Sequence, residues 1–269
     1  MPISESQARV LREIARHRDP GSYLAGATVL HQQRTSPRFS RDLDIFHDLA
    51  DRVAQCAETD AATLRAAGFE LEWILRAPAF HRAVATVGGD RLKIEWAQDS
   101  AFRFFPIQQD PLCGYRLHEV DAAINKVLAL AGRTEIRDYV DVLHAHRTIL
   151  SLGATVWAAC GKDPGYTPEF LLDQCNRHTA YTQADLDRLD LRERLDLRDM
   201  KAAWLEAVEQ ARKLVAGLPP EEIGCLYLDP QGRPVTPDPA SPDFALLKRH
   251  YGAVGGAWPT VSPADENAG

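Results

Sequence analysis

The sequence predicts an α/β (α+β) protein: a mixed β-sheet flanked by helices, continued by a helical C-terminal unit. Three observations predict it. Residues 21–46 read as a strand, a glycine turn, a helix and a second strand. Residues 70–97 read as three strands, the last two joined by Gly88-Gly89-Asp90, a strong hairpin signal. From Leu117 onward, apolar residues recur at helical spacing. The expected division is a core over 1–113, a helical unit over 114–217, and a hairpin with a disordered tail over 218–269.

Length and composition narrow the class. A chain of 269 residues is long enough to bury a full core. Its 45% hydrophobic and 26% charged residues are ordinary for a globular protein. The first twenty residues are polar and amphipathic, and no apolar run approaches the length of a membrane span, so no membrane association and a cytoplasmic location are expected. The cysteines Cys56, Cys113, Cys160, Cys175 and Cys225 are odd in number and lack C-x-x-C spacing, which fits reduced thiols in a core and argues against zinc. A net charge of −7 excludes broad, sequence-blind nucleic-acid binding and leaves only local basic patches.

Taken in order, residues 4–17 place Ala8, Val10, Leu11, Ile14 and Ala15 at helical spacing behind Ser4 as N-cap, and Asp19-Pro20-Gly21 ends that helix. Tyr23-Leu24-Ala25 reads as a buried strand, Gly26 as a tight turn, residues 27–33 as a helix and 40–46 as a strand beside the first. Residues 48–67 form a helix that Gly68 terminates. Strands over 70–76, 80–87 and 91–97 extend the same sheet, and aromatic-rich 102–107 is an edge strand or a covering loop. The helix over 118–131 buries Val120, Ile124, Val127 and Ala131, and that over 135–150 buries Ile136, Val140, Leu143 and Leu150. Residues 157–162 follow without an assigned element, then helices over 168–177, 183–189 and 197–216, the last with Met200, Ala203, Trp204, Ala207, Val208, Ala211 and Leu214 as its stripe. After the break at Leu218-Pro219-Pro220, Cys225 to Leu228 and Pro234-Val235 flank a turn, and the Pro, Gly and Ala content beyond Tyr251 predicts disorder.

The chemistry concentrates at Asp42 and Asp44. Side chains on a strand repeat every second residue, so both carboxylates point to one side and suit Mg²⁺, a hard cation that takes oxygen ligands. An Asp-x-Asp alone also arises on solvated strands. Gly26 ahead of a helix start offers amide groups without internal partners to an anion such as a triphosphate, and Thr28 adds a hydroxyl. Arg34, Arg38 and Arg41 supply a basic rim beside the acids, or an ordinary solvated loop. In the last strand Leu92, Ile94 and Trp96 alternate with Arg91, Lys93 and Glu95, which puts Glu95 on the face away from the core. On the helix over 118–131, Ala122, Lys126, Ala129 and Arg133 make a second face of small residues and cations. His144 and His146 lie two apart on a helix and diverge, which discounts a metal there.

These residues resemble a known family, the AbiEii-type nucleotidyltransferases of the DNA polymerase β-like superfamily. Its signature is a glycine turn at a helix start followed by Arg-x-Ser-x-Asp-Leu-Asp. Here stand Gly26-Ala27-Thr28 and Arg38-Phe39-Ser40-Arg41-Asp42-Leu43-Asp44, with Ala27 where the family often has serine or a second glycine. A second block, Lys-x-x-Ala-Leu-x-x-Arg then Arg/Lys-Asp-x-x-Asp, matches Lys126 to Arg133 and Arg137 to Asp141. The resemblance covers roughly residues 20 to 150.

It implies a nucleotidyltransferase core in which Asp42, Asp44 and Glu95 hold one or two Mg²⁺ ions. Gly26 and Thr28 would cradle the phosphates of a nucleoside triphosphate, and Lys126 and Arg41 would neutralise them. Asp138 would orient Lys126 or the phosphate, and Asp141 would fix the helix pair. Glu95 also reads as a solvent-facing partner of Lys93, and Lys126, Arg133, Arg137, Asp138 and Asp141 as an interhelical salt-bridge cluster. Toxins among the relatives imply an RNA acceptor, a transfer RNA 3′ end first, and a cognate antitoxin as partner. The alternatives are transfer to a small molecule or protein hydroxyl, and a non-catalytic nucleotide-binding module of the same fold.

Overall fold

Alternation of apolar and polar residues decides which face of each strand is buried, and the sheet follows from it. A computed structural model describes residues 3–31, 36–177 and 181–259. The end of the expected helix over 27–33, Arg34, and the segment 260–269 lie outside the described residues. The elements run α1 Glu5–Ala15, β1 Ser22–Ala25, α2 Gly26–Leu30, β2 Asp42–His47, α3 Ala50–Ala66, β3 Glu70–Ala77, β4 Phe80–Val87 and β5 Asp90–Gln98. They continue with β6 Phe102–Arg103, β7 Gln108–Asp110, β8 Gly114–Arg116, α4 Glu119–Gly132, α5 Ile136–Thr148, α6 Leu152–Lys162 and α7 Pro168–Cys175. The last are α8 Gln183–Asp187, α9 Leu197–Gly217, β9 Cys225–Leu228, β10 Lys248–Tyr251 and β11 Ala253–Val254.

Contacts divide the chain into two units, the first being Met1–Ala101, Pro106–Ala122 and Tyr181–Leu197. It holds a mixed seven-stranded sheet in the order β3-β4-β5-β2-β1-β8-β7. β2 pairs antiparallel with β1 and parallel with β5, and β8 pairs parallel with β1. Helix α1 starts at the expected Ser4, whose side chain and that of Gln7 form a reciprocal capping box. It buries Val10, Leu11 and Ile14, and α3 buries Val53, Ala57, Ala61 and Leu64. Strands β2 and β5 turn Leu43, Ile45, Ile94 and Trp96 into the same core, all fully buried.

One ionic group lies inside that core. Arg18 grips both oxygens of Asp60 at 2.6 and 2.7 Å, and the Trp96 indole N–H donates to Asp60 Oδ2 at 2.7 Å. Burial of an ion pair calls for hydrogen bonds that compensate the lost hydration; Asp60 receives three, whereas Arg18 bonds through Nη2 alone and buries Nε and Nη1 without partners. His47 ends β2 on this side, fully buried. Loss of solvation, reinforced by the nearby charges of Arg18 and Arg52, lowers its pKa from 6.5 to about 3 and keeps the ring neutral.

The second unit comprises Phe102–Phe105, Ala123–Ala180 and Arg198–Gly269. Tyr139 of α5 stacks on Trp204 of α9 with ring centroids 5.0 Å apart and donates its hydroxyl to Met200 O at 3.2 Å. Helix α6, Leu152–Lys162 behind the N-cap Ser151, covers a stretch to which the sequence assigned no element. Its residues from Leu152 to Cys160 are all buried, so no polar face marks its beginning in the sequence. A Cβ on Gly161 would overlap the carbonyl of Gly224, so two backbones meet where neither tolerates a side chain.

The C-terminal segment differs from expectation in two places. Cys225–Leu228 pairs with Lys248–Tyr251, whereas Pro234 makes only an isolated bridge to Leu228. Proline has no N–H to give a ladder. Order also continues past Tyr251: Ala253–Val254 pairs antiparallel with Phe102–Arg103, and His250 meets the carbonyl of Phe104 through Nε2 at 2.8 Å. The glycines there serve a close approach, since a Cβ on Gly252 would overlap the Phe102 ring. Strands β7 and β8 were not expected, being three residues each and without alternation. All five cysteines are free and four are buried, and among the described residues no helix is long and apolar enough to cross a membrane.

Two outcomes follow for stability. Asp60→Ala leaves the Arg18 charge and the Trp96 N–H buried without acceptors, and urea unfolding should show a loss of about 3–5 kcal/mol. His47 contributes stability that is complete above its unfolded pKa of 6.5 and lost as pH falls toward about 3, because only the unfolded chain takes up the proton. Between pH 7 and pH 5 this amounts to about 2 kcal/mol, which His47→Leu should remove from the pH dependence of unfolding.

Candidate active site

Strand β2 alternates Asp42, Leu43, Asp44, Ile45, Phe46 and His47, with every second residue buried. The burial of Leu43, Ile45 and His47 forces Asp42 and Asp44 together onto the opposite face. The parallel register with β5 sets Asp42 beside Lys93 and Asp44 beside Glu95. Three carboxylates from two adjacent strands therefore share one face.

Two cations temper them. Lys93 Nζ lies 2.8 Å from Asp42 Oδ2 and 3.1 Å from Glu95 Oε1. Arg82 Nε, from β4 across the sheet, donates to Glu95 Oε1 at 2.8 Å. Partial burial works against the Lys93 charge, but the Asp42 and Glu95 carboxylates outweigh it and hold the ammonium pKa above its ordinary value. Among the described residues no group of three or more His, Cys, Asp and Glu stands in position to hold a metal ion. Asp42 and Glu95 converge on the Lys93 ammonium instead. In its chemistry the donor set nevertheless suits a hard divalent cation, being oxygen-only and only partly buried.

Gly26 sits directly against this group. It has φ 65°, and a Cβ there would overlap the carboxylate of Asp44. Ala25 pairs with Asp44 across the β1–β2 ladder, which brings the start of α2 beside the acid. Only glycine meets both demands, a left-handed backbone and room for a carboxylate. Helix α2 is five residues long, so the amides of its first turn rather than a long helix dipole are what it offers an anion. Thr28 is buried, and its hydroxyl donates to Asp42 O at 2.8 Å, tying α2 to β2.

The arginines separate. Arg41 is exposed and donates through Nε to Asp190 at 2.9 Å, whereas Arg38 is buried with Nη1 directed to Phe39 O at 3.3 Å. The basic rim expected from Arg34, Arg38 and Arg41 is thus not formed by Arg38. Its segment is pinned internally by Ser36, which donates to Arg38 O at 2.7 Å, and by Gln7, which donates to Ser40 O at 2.7 Å.

Lys126 and Asp138 belong to the second unit. Lys126 Nζ lies 2.9 Å from Asp138 Oδ1 and 2.9 Å from Asp141 Oδ2, and Arg133 Nε lies 2.6 Å from Asp138 Oδ2. Both aspartates are fully buried. Burial alone would raise the Asp138 pKa, but the Lys126 charge and the hydrogen bonds from Arg133 and Lys126 reverse this and hold it below the usual carboxylate range. Four of the five residues of the expected interhelical cluster therefore do pair. Arg137 lies 3.8 Å from Glu135 as well.

The family model of the nucleotidyl transferase AbiEii toxin, a type IV toxin–antitoxin system, matches residues 9–223. The chain belongs to this family. Among solved structures it is similar to JHP933 from Helicobacter pylori, at 18% identity over 80% of this chain and 95% of that one, with a TM-score of 0.51. It is also similar to MenT4, a nucleotidyltransferase toxin from Mycobacterium tuberculosis H37Rv, at 18% identity over 80% of this chain and 83% of that one, with a TM-score of 0.53. At such identities the likeness is one of fold. No curated protein matches the chain.

The AbiEii chain thus carries a nucleotidyltransferase fold with its acids on one strand face. Sequence reasoning treated Lys93 only as a partner for Glu95 and did not single out Arg82. The signal for Lys93 was present, since Lys93-x-Glu95 has the same spacing as Asp42-x-Asp44. What it lacked was the register between the two strands.

Gly26→Ala should displace the Asp44 carboxylate and force alanine into a left-handed conformation costing roughly 1–2 kcal/mol. Nucleotidyl transfer should fall to the level of an Asp44 variant while urea unfolding shows only that modest loss.

Proposed function

We propose that this AbiEii nucleotidyltransferase moves a nucleoside monophosphate from a nucleoside triphosphate to an acceptor hydroxyl in an Mg²⁺-dependent reaction, with an RNA 3′ end of the transfer RNA type as first acceptor. The observation that carries the reading is the face shared by Asp42, Asp44 and Glu95, with the Gly26 turn packed against Asp44. One or two Mg²⁺ ions held there would polarise the α-phosphate and stabilise the leaving pyrophosphate.

The protein's own part is to hold and exclude. Leu43, Ile45, Ile94 and Trp96 fix the strands from behind, so the carboxylates stay aligned without help from the ligand. Gly26, lacking a Cβ, leaves room for the Asp44 carboxylate, beside which the phosphates would lie. Thr28 acts by holding Asp42's strand, since its hydroxyl is engaged with that residue's carbonyl. The family resemblance adds Lys126 as a phosphate contact oriented by Asp138, and Arg41 as a second cation. A cognate antitoxin is the partner the toxin family implies.

A second reading keeps the chemistry and changes the acceptor to a small molecule or a protein hydroxyl. The net charge of −7 favours it, because RNA binding draws on clustered Lys and Arg.

Purified protein incubated with Mg²⁺, labelled nucleoside triphosphates and either total RNA or a metabolite pool separates these readings. Labelled RNA is expected, and a labelled small molecule supports the second reading. Asp44→Ala should lower transfer by roughly 10²–10³ or more with the fold intact. Transfer at the parental rate would remove Asp44 from the site.

A further inference from the structure

The Lys93 ammonium lies against two of the acids assigned to the proposed metal site. It is within hydrogen-bond distance of one oxygen of Asp42 and one of Glu95, at 2.8 and 3.1 Å, and so bridges two strands. It reaches both because β5 puts Lys93 and Glu95 on one face, and the parallel register sets Asp42 next to Lys93. Glu95 does not need it for neutralisation, since Arg82 already donates to the same Oε1 at 2.8 Å.

We propose that Lys93 is a built-in counter-cation that occupies the gap between Asp42 and Glu95 until a divalent metal ion displaces it. The inference rests on the metal-site reading above and adds a competitor to it. A lysine suits the task. Its charge is a compact point on a flexible four-carbon stem, which can withdraw without disturbing the strand, whereas a planar guanidinium would hold a carboxylate through two bonds. Without a cation, three carboxylates on neighbouring strands would repel one another and weaken the β2–β5 pairing. Lys93 thus keeps the empty site intact, at a cost in metal affinity, because an ion must take the same oxygens. An ordinary structural ion pair would carry no such competition.

The test is Mn²⁺ binding to the full chain without nucleotide, followed by the electron paramagnetic resonance of the free ion. Lys93→Met should bind Mn²⁺ about tenfold more tightly than the parent. Arg82→Met removes a cation that touches Glu95 from outside the gap, and should tighten binding far less. Lys93→Arg should stay close to the parent. Equal tightening in the Lys93 and Arg82 variants, which would mean that charge alone acts, would overturn the placeholder, and so would unchanged affinity in Lys93→Met. Lys93→Gln repeats the measurement should the methionine variant fold poorly. Asp44→Asn separates the two ideas: if it binds Mn²⁺ like the parent, the metal site itself is wrong, and if only the Lys93 result fails, the site stands without its competitor.

Discussion

The parallel pairing of β2 with β5 is the constraint on which the site depends. It sets Asp44 against Glu95 and Asp42 against Lys93. The pairing is fixed from the opposite face. A slip of one residue would drive Asp42 and Asp44 into the space of Leu43 and Ile45, burying two carboxylates among Ile94, Trp96 and the apolar stripe of α3. The register of the acids is therefore enforced by hydrophobic burial, not by the acids, which repel one another.

How much of this was legible in the sequence follows from the range of each signal. The alternations in residues 42–47 and 91–97, and the glycine pair between β4 and β5, are local, and they gave the strands and the faces of Asp42, Asp44 and Glu95. The bridging position of Lys93 is not local, since it needs both the strand order and the register between segments some fifty positions apart. Gly26 was visible as a turn, but its reason, the carboxylate of Asp44 in the place of a side chain, appears only once β1 and β2 are paired. Strands β7 and β8 left no pattern, being shorter than the period that would reveal them. Arg38 was misjudged because sequence shows a charge but not its burial.

The cluster around Lys126 is a structural pairing that would also suit the phosphate contact proposed for it. Two buried aspartates hold one ammonium, and Arg133 shares one of them. Such a group contributes little net stability relative to an apolar core, because desolvation offsets most of the attraction. What it does supply is a fixed cation. A lysine already restrained by Asp138 and Asp141 loses little rotamer freedom on meeting a phosphate, so the ordering cost falls on folding rather than on binding.

Trp96 connects the core to the site more directly than any other residue. Its side chain points to the buried face, where the indole N–H is held by Asp60, itself gripped by Arg18. Its chain neighbour Glu95 points the other way, toward Asp44 and Lys93. On a pleated strand the two directions are fixed relative to one another, so a hydrogen bond on one face restrains the backbone that aims the carboxylate on the other. The buried ion pair of Arg18 and Asp60 is costly to desolvate and would be a poor way to gain stability alone. Its specific value is directional: an apolar substitute of equal volume would fill the space beneath Trp96 but would offer no acceptor to set the rotation of its ring, and with it the pitch of the strand that carries Glu95.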